Sequence, residues 1–455
     1  MGSVVPNHAP LSPTPLPQWG EGLAIPVKCT VPAHCAAKGL RMSNDVRQRI
    51  HDFLAAERAR QTQFLAELVK VPSDNPPGDC APHAERAMAL LQALGFTVER
   101  HAVPEAQVKQ NGMQSCINLV VRERFGTGGP TIACNAHGDV VPPGLGWTVD
   151  PYGAMIREGH MYGRGVAVSK SDFATYTWAL LALKHALAGH TANGGIELHF
   201  TYDEEAGGGI GPRWLLQKGL TKPDFALSAG FSYGVTTAHN GCLHLEVEVL
   251  GKSGHAAEPE KGHDALEAAN SILSDLYAYR KALFALESAI PGIGSPTMVV
   301  GLISGGINTN VVPDRVVFRL DRRIIPDEIP GHAEKFTRSL IEQSVRKMPG
   351  IKVNVKRILY AEPFVPRPGQ ERLVDSLKRN AKTVFGVDIE AHGLPLYTDA
   401  RHYSEAGIPT VLYGAGPRTL EEANGHRADE NLKLDDLYRA TEVVALIYLD
   451  FLTAT

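Results

Sequence analysis

The chain has 455 residues, of which 44% are apolar and 21% are charged, and its net charge at pH 7 is −4. This composition is typical of a soluble globular protein, and the charge gives no reason to expect nucleic acid or an anionic membrane surface as a partner. No run of about 18 uninterrupted apolar residues is present, so no transmembrane helix is predicted. The length indicates more than one domain.

The cysteines show no paired spacing along the chain. They are Cys29, Cys35, Cys80, Cys116, Cys134 and Cys242. A disulfide framework is therefore not expected, and the sequence predicts a reducing compartment, the cytoplasm.

Residues 1–41 differ in composition from the rest of the chain. They contain the proline-rich run HAPLSPTPLPQWGEG, which has no periodicity and is not expected to pack as a structural element. The segment also lacks the basic start and apolar core of a secretory signal. From Met42 onward the apolar spacing is that of an amphipathic helix. We expect the functional chain to begin near Met42, with residues 1–41 disordered or not native to the protein.

Strand-like and helical runs alternate between about residues 95 and 240. The strand-like runs are SCINLVVRE, PTIACNAHGDVV, GIELHFTYDEE and PDFALSAG, and a helical run is FATYTWALLALKHAL. This order predicts the α/β class, with a doubly wound, mainly parallel sheet covered by helices on both faces. The pattern returns in GIPTVLYG and in the last helix, so residues 42–240 and 361–455 are assigned to one catalytic domain.

The pattern changes between residues 241 and 360. A strand with period-two alternation, CLHLEVEVL, precedes a helix, two further strands, a second helix and the strand IKVNVKRIL. This βαββαβ order predicts an inserted ferredoxin-like layer.

Polar clusters follow three of the predicted strands. His137 and Asp139 follow TIACNA, Glu204 and Glu205 follow IELHFTY, and His426 follows GIPTVLYG after a loop. Ligands of open α/β sheets gather beyond the carboxyl ends of the strands. Each cluster alone would be read as a turn or a solvated strand end, but together they predict one site.

The residue types suggest a metallohydrolase. Imidazole nitrogens of His137 and His426 suit zinc or a similar ion, and Asp139 can orient a ligand histidine. Glu204 and Glu205 are adjacent, so one can bind a metal while the other accepts a proton from water.

Seven motifs in order carry a resemblance to a known family. They are HGDVVP, GRG followed by a lysine, DEE, GKSGHAAEP, GGINTNVVPDRVVFRLDRR, YTDAR and GHRADE. In this order they resemble the zinc aminoacylase, acetylornithine deacetylase, succinyl-diaminopimelate desuccinylase and carboxypeptidase G metallopeptidases. The resemblance covers residues 42–455 and implies a co-catalytic metallohydrolase with an inserted dimerisation domain.

The resemblance also implies individual roles. His137, Glu205 and His426 would be metal ligands, Asp139 the supporting acid of His137, and Glu204 the general base.

Three residues of the inserted layer would complete the site. His255 would reach the partner subunit's site in a homodimer and polarise the scissile carbonyl. Asn310 and Arg323 would hold the substrate's carboxylate. Without the resemblance, His255 would be read as an exposed turn residue, and Arg323 as the ion-pair partner of Asp321 or Asp327.

Two positions depart from the family's pattern. Val168 stands where the family has the aspartate that bridges two metals, and Gly230 stands where it has an acidic ligand. Two dications about 3.5–4 Å apart would repel by roughly 17–19 kcal/mol at an effective dielectric constant of 20. We therefore expect at most one zinc, cobalt or manganese ion per chain, held by His137, Glu205 and His426, or no metal at all. Rescue by Asp172 ranks third, because it lies a helical turn beyond Val168.

Three functions remain open from the sequence. The first is an amidohydrolase acting on an N-acyl amino acid or short peptide that has a free carboxylate. The second is a metal-independent lyase, isomerase or cyclising enzyme in which Glu204 transfers protons. The third is a non-catalytic binder of amino-acid-like ligands, which the paired Glu204 and Glu205 disfavour. The resemblance favours the first.

Overall fold

The computed structural model describes the backbone of residues 33–453 and the side chains of residues 44–453. The first helix begins at Ala33, before the start predicted at Met42, so it includes residues 33–41 of the predicted tail. The rest of that prediction concerns residues 1–32, which lie outside the described residues. Residues from Val46 onward form one compact unit.

The strands are, in chain order, β1 (Val98–Ala102), β2 (Ile117–Phe125), β3 (Thr131–His137), β4 (Met155–Arg157), β5 (His160–Tyr162), β6 (Gly194–Thr201), β7 (Phe225–Ser228), β8 (Val235–His239), β9 (Gly241–Leu250), β10 (Thr297–Gly305), β11 (Arg315–Ile324), β12 (Lys352–Ala361), β13 (Ala391–Leu394), β14 (Thr410–Leu412) and β15 (Asn431–Lys433).

The helices are α1 (Ala33–Val69), α2 (Ala81–Ala93), α3 (Glu105–Gln110), α4 (Lys170–Ala186), α5 (Pro212–Gln217), α6 (Ala265–Leu283), α7 (His332–Val345), α8 (Gln370–Phe385), α9 (Ala400–Glu405) and α10 (Leu434–Leu452). None of the helices in the described part of the chain has the length and apolar content needed to cross a membrane.

The larger sheet has eight strands in the order β1-β2-β6-β3-β7-β14-β8-β13. Its centre, β6-β3-β7-β14, is parallel throughout. Every residue of β6 is buried, as expected for a strand covered on both faces. Helix α4 packs on this centre, where the rings of Phe173 and Phe200 stack with centroids 4.1 Å apart. The carboxyl ends of four neighbouring strands therefore open at one edge of the sheet.

The second sheet comprises residues 241–361 and has the order β10-β11-β9-β12, antiparallel throughout. Strand β9 alternates: Leu243, Leu245 and Val247 are buried in a core shared with α6 and α7, while the residues between them face away. The elements follow the predicted βαββαβ order. The predicted fold class, a mainly parallel α/β sheet with a second βαββαβ layer, is confirmed.

Candidate metal-binding and catalytic site

Two of the predicted clusters meet because β3 and β6 are parallel neighbours. His137 is the last residue of β3 and lies opposite Thr201, the last residue of β6. The chain then turns, and Glu204 and Glu205 begin a short 3₁₀ turn three residues beyond Thr201. The site thus lies beyond the carboxyl ends of the strands, where it was predicted.

Asp139 connects the two clusters. Its carboxylate is buried and accepts hydrogen bonds from the backbone N–H groups of Glu204 at 3.2 Å and Glu205 at 3.1 Å, and from the Asn75 amide at 2.9 Å. His137 Nδ1 lies 3.0 Å from the carbonyl oxygen of Asp139 and 3.4 Å from its carboxylate. One side chain therefore fixes both the His137 ring and the glutamate turn.

Four donors converge on one side of the cavity. Single ligand atoms of His137, Glu204 and Glu205 all lie within 4.8 Å of one another. His426 Nε2 lies 3.5 Å from Glu205 Oε1, and the residue adopts the left-handed backbone conformation with φ 62°. Two imidazoles with a carboxylate form a donor set that suits one divalent ion and leaves a position for water. His137, Glu204 and Glu205 therefore lie close enough to share a single metal ion, and His426 lies beside Glu205.

The electrostatics of this side are those of a crowded acidic site. Burial raises the pKa of Glu204 well above its usual range; His137 opposes this shift and Glu205 adds to it. Burial disfavours the charged form of His137, yet the carboxylates of Glu204 and Asp139 hold its pKa well above the usual value. A cation bound among these groups would relieve their mutual repulsion.

Two positions in the cavity wall lack the donors that the family's pattern predicts. Val168 and Gly230 both line it. A Cβ atom added at Gly230 would lie 2.7 Å from the backbone nitrogen of Tyr413 and 2.8 Å from the carbonyl carbon of Leu412. A side chain at residue 230 would therefore require the backbone to move.

Asp172 also lines the cavity. It is buried in the first turn of α4, and one carboxylate oxygen accepts a hydrogen bond of 2.7 Å from Ala415 N–H. The other oxygen has no hydrogen-bond partner among the described residues. Burial raises the pKa of Asp172 to about 7, although the backbone N–H groups of Ala415 and Gly230 oppose the shift. From the sequence, Asp172 ranked third because it lies a helical turn beyond Val168, yet it lines the cavity.

A buried ion pair links the loops that carry Val168 and His426. Arg164 donates to Glu430 at 2.6 Å, and both side chains are 1% exposed. Glu430 also accepts hydrogen bonds from the backbone N–H groups of Gly165 at 3.2 Å and Ala167 at 3.0 Å. The GRG and GHRADE motifs are thus parts of one hydrogen-bonded structure.

The second sheet contributes Arg323 to the wall of the cavity. Its Nε donates to Asp321 at 3.0 and 3.3 Å, which is one of the ion pairs considered from the sequence, and its guanidinium lies 5.9 Å from the Tyr397 ring. Among the described residues that line the cavity, neither His255 nor Asn310 is found. His255 is exposed and its Nδ1 accepts from Ala257 N–H at 3.1 Å.

The cavity has a volume of about 400 Å³ and is lined by more residues than the sequence identified. Asp399 is buried in its wall, and burial raises the Asp399 pKa to about 7, opposed by His137 and Arg401. Tyr397 lies beside it in the same YTDAR motif. The YTDAR motif was noticed in the sequence as part of the resemblance, but its spacing alone did not assign a role to Tyr397 or Asp399.

Comparisons with known proteins agree with this fold. A family described as peptidase family M20/M25/M40 matches residues 133–450. The acetylornithine deacetylase of Myxococcus xanthus is 29% identical over 404 residues, which are 87% of this chain and 97% of that protein. The succinyl-diaminopimelate desuccinylase of a Nitratiruptor species is 27% identical over 327 residues, 70% of this chain and 84% of that protein.

Solved structures show the same fold at low identity. Human carnosine dipeptidase 1 has a TM-score of 0.68 and 18% identity over 89% of this chain and 98% of that chain. Aminopeptidase PepT of Bacillus cereus has a TM-score of 0.66 and 22% identity over 86% of this chain and 97% of that chain. The family resemblance inferred from the motifs is confirmed. Because the family match covers more than half of this chain, the chain belongs to peptidase family M20/M25/M40.

Proposed function

We propose that the cavity hydrolyses the C–N amide bond of an N-acyl amino acid or short peptide with a free carboxylate, with Glu204 as the general base. Membership of the family makes the chain a hydrolase of such bonds. The observation that carries the finer proposal is the convergence of His137, Glu204 and Glu205 within 4.8 Å beside His426. The names of the relatives, which act on acetylornithine and on succinyl-diaminopimelate, support the choice of substrate class.

The chain's own groups can perform the proton transfers. Glu204 accepts a proton from the attacking water and returns it to the leaving amine, while Asp139 keeps the glutamate turn and the His137 ring in position. Arg323 reaches the cavity wall from the second sheet and binds the substrate's carboxylate.

His137, Glu205 and His426 would hold at most one zinc, cobalt or manganese ion in the cavity. Such an ion, when bound, would polarise the scissile carbonyl and lower the pKa of water. The missing donors at Val168 and Gly230 support a count of one, because a second ion would face neither an acidic ligand nor the negative charge that separates two dications.

The main test is metal-dependent hydrolysis. Purified protein is assayed on a panel of N-acyl amino acids and dipeptides before and after chelation. We expect chelation to abolish turnover and zinc, cobalt or manganese to restore it. Undiminished hydrolysis after chelation would contradict the metal-dependent mechanism.

The closed backbone at Gly230 favours a second candidate. Acid–base chemistry without metal, by a lyase, isomerase or cyclising enzyme, could use Glu204 together with the buried acids Asp172 and Asp399. This candidate predicts that chelation changes nothing and that the products contain no added water, which mass spectrometry of the products would detect.

We further propose a homodimer that forms through the second sheet. Its edge strand β10 exposes Val299, Leu302 and Ile303, and Ile307 follows in the next turn. An uncovered apolar edge strand favours pairing with another chain. His255, which lies outside the wall of its own cavity, would then serve the partner subunit, and Asn310 would accompany it.

The free thiols are consistent with a reducing compartment, and we propose the cytoplasm. Cys80, Cys116, Cys134 and Cys242 are all unpaired and buried in the structure, as expected where glutathione keeps thiols reduced.

A further inference from the structure

A cluster of metal-binding side chains lies on the second sheet, outside the four donors of the cavity. Cys242 and His244 are two residues apart on β9, so their side chains share one face of the sheet. The register of β9 and β11 places Arg323 opposite Cys242 and Asp321 opposite His244. This face points away from the apolar core formed with α6 and α7.

The separations within this cluster resemble those of ligands around one small ion. Cys242 Sγ lies 3.2 Å from His244 Nε2, and His244 Nε2 lies 3.1 Å from Asp321 Oδ2. Cys242 Sγ lies 3.9 Å from the other oxygen of Asp321. Ligand bonds of about 2.0–2.3 Å at tetrahedral angles give ligand–ligand separations of about 3.3–3.7 Å. Small side-chain adjustments would therefore bring all three atoms onto one ion.

Burial and charge support a cation at this place. Cys242 is fully buried, whereas the His244 and Asp321 side chains are 36% and 32% exposed, so one side stays open for a water ligand. The carboxylate of Asp321, 3.1 Å from His244 Nε2, supplies negative charge beside the imidazole and the thiol. Arg323 opposes the cation, and its Nε donates to the same carboxylate at 3.0 Å.

We propose that Cys242, His244 and Asp321 form a second metal site, which binds a borderline-soft divalent ion such as zinc through thiolate, imidazole and carboxylate. The proposal does not depend on the reaction in the cavity, and it adds one ion to the at most one expected there. Asp321 would be shared between this ion and Arg323, so the ion would also fix the orientation of Arg323 at the cavity wall.

Cobalt(II) tests the proposal because thiolate ligation gives an intense near-ultraviolet charge-transfer band. His137, Glu204, Glu205 and His426 contain no sulfur, so an ion in the cavity cannot produce that band. We expect titration of the full metal-free chain with cobalt(II) to give the band and Cys242→Ser to abolish it. His244→Gln and Asp321→Asn should weaken cobalt binding at this site by about tenfold or more.

Two controls separate this site from other thiols and from the cavity. Cys29→Ser with Cys35→Ser should leave the band unchanged, and so should His137→Ala, which removes a cavity donor. A band that survives Cys242→Ser, or its absence from a wild-type chain saturated with cobalt, would overturn the proposal. Circular dichroism checks folding, and if Cys242→Ser does not fold, a folded His244→Gln decides the question: a titration of the band weakened about tenfold or more supports the site, and an unchanged titration overturns it.

Discussion

Two regions of the cavity wall differ in the charged groups that they present. One side keeps His137, Glu204 and Glu205, held in place by the buried carboxylate of Asp139. The other side presents Val168 and Gly230, and at Gly230 the backbone of the neighbouring strand lies too close for a Cβ. The difference teaches that the backbone around Gly230, and not only the missing side chain, excludes a ligand at that position.

The largest expected effect concerns the acidic side. Glu204→Gln keeps the shape of the side chain and removes the base, so turnover should fall by about 10²–10⁴-fold. The measurement is kcat on the best substrate of the wild-type chain, with the exposed Glu421→Gln as the matched control. Retention of wild-type kcat would show that the acidic side does not supply the base.

Arg323→Ala tests whether the second sheet supplies the carboxylate clamp. Because the Arg323 side chain is only partly buried, the loss should be near the lower end for a charged contact, about 2 kcal/mol of binding free energy. Calorimetry with a carboxylate-bearing ligand and its amide analogue measures this loss. Arg323→Ala should bind the carboxylate ligand more weakly than the wild-type chain does and should bind the amide analogue equally well. Arg319→Ala, on the same strand but paired with Glu246, is the control. An equal loss in both variants would place the clamp elsewhere.

The close approach of the backbone at Gly230 predicts that adding a side chain there destabilises the protein. Gly230→Asp should lower the free energy of unfolding by about 1–3 kcal/mol, since the added atoms meet backbone. Urea unfolding measures this, and Gly294→Asp, where nothing lies within 4 Å of the added Cβ, is the control.

Metal content sharpens the same comparison. In a Cys242→Ser background, where only the cavity is counted, Val168→Asp alone should leave the content at one ion or fewer, because Gly230 still supplies no ligand. Two tightly bound ions in the Cys242→Ser chain that keeps Val168 would mean that Asp172 provides the bridge. The contrast between the two regions of the cavity would then disappear.

The smallest expected signal tests the homodimer. His255→Ala and Glu204→Gln chains should each be nearly inactive, yet a mixture of them should recover activity if His255 acts in the partner's cavity. Random pairing makes about half of the dimers mixed, each with one intact site, so about one quarter of the sites should work. No recovery from a mixture shown by sedimentation to contain dimers would assign His255 to its own chain or to no role.

The sequence predicted the parts of the site that depend on strand ends and on local motifs. His137 and Glu204 were found because parallel strands bring their carboxyl ends together, and Arg323 because it lies in a long motif. The closure at Gly230 depends on how closely the chain after β14 approaches, and the place of Asp172 depends on the packing of α4. The cluster at Cys242 needs the register of two strands whose residues 242 and 321 lie 79 positions apart. A local sequence pattern does not determine which residues that are distant along the chain lie close together in the fold.

The buried Arg164–Glu430 pair has a consequence for how the cavity binds an ion. Glu430 holds the backbone around Gly165 and Ala167 while it belongs to the same loop as His426. In many metal sites the ion itself draws separate loops together, and part of its binding free energy is lost as their conformational entropy. Here the cross-link has already removed that freedom. The loop that carries His426 is preorganised, so an ion bound there would enter and leave a scaffold whose shape does not depend on it.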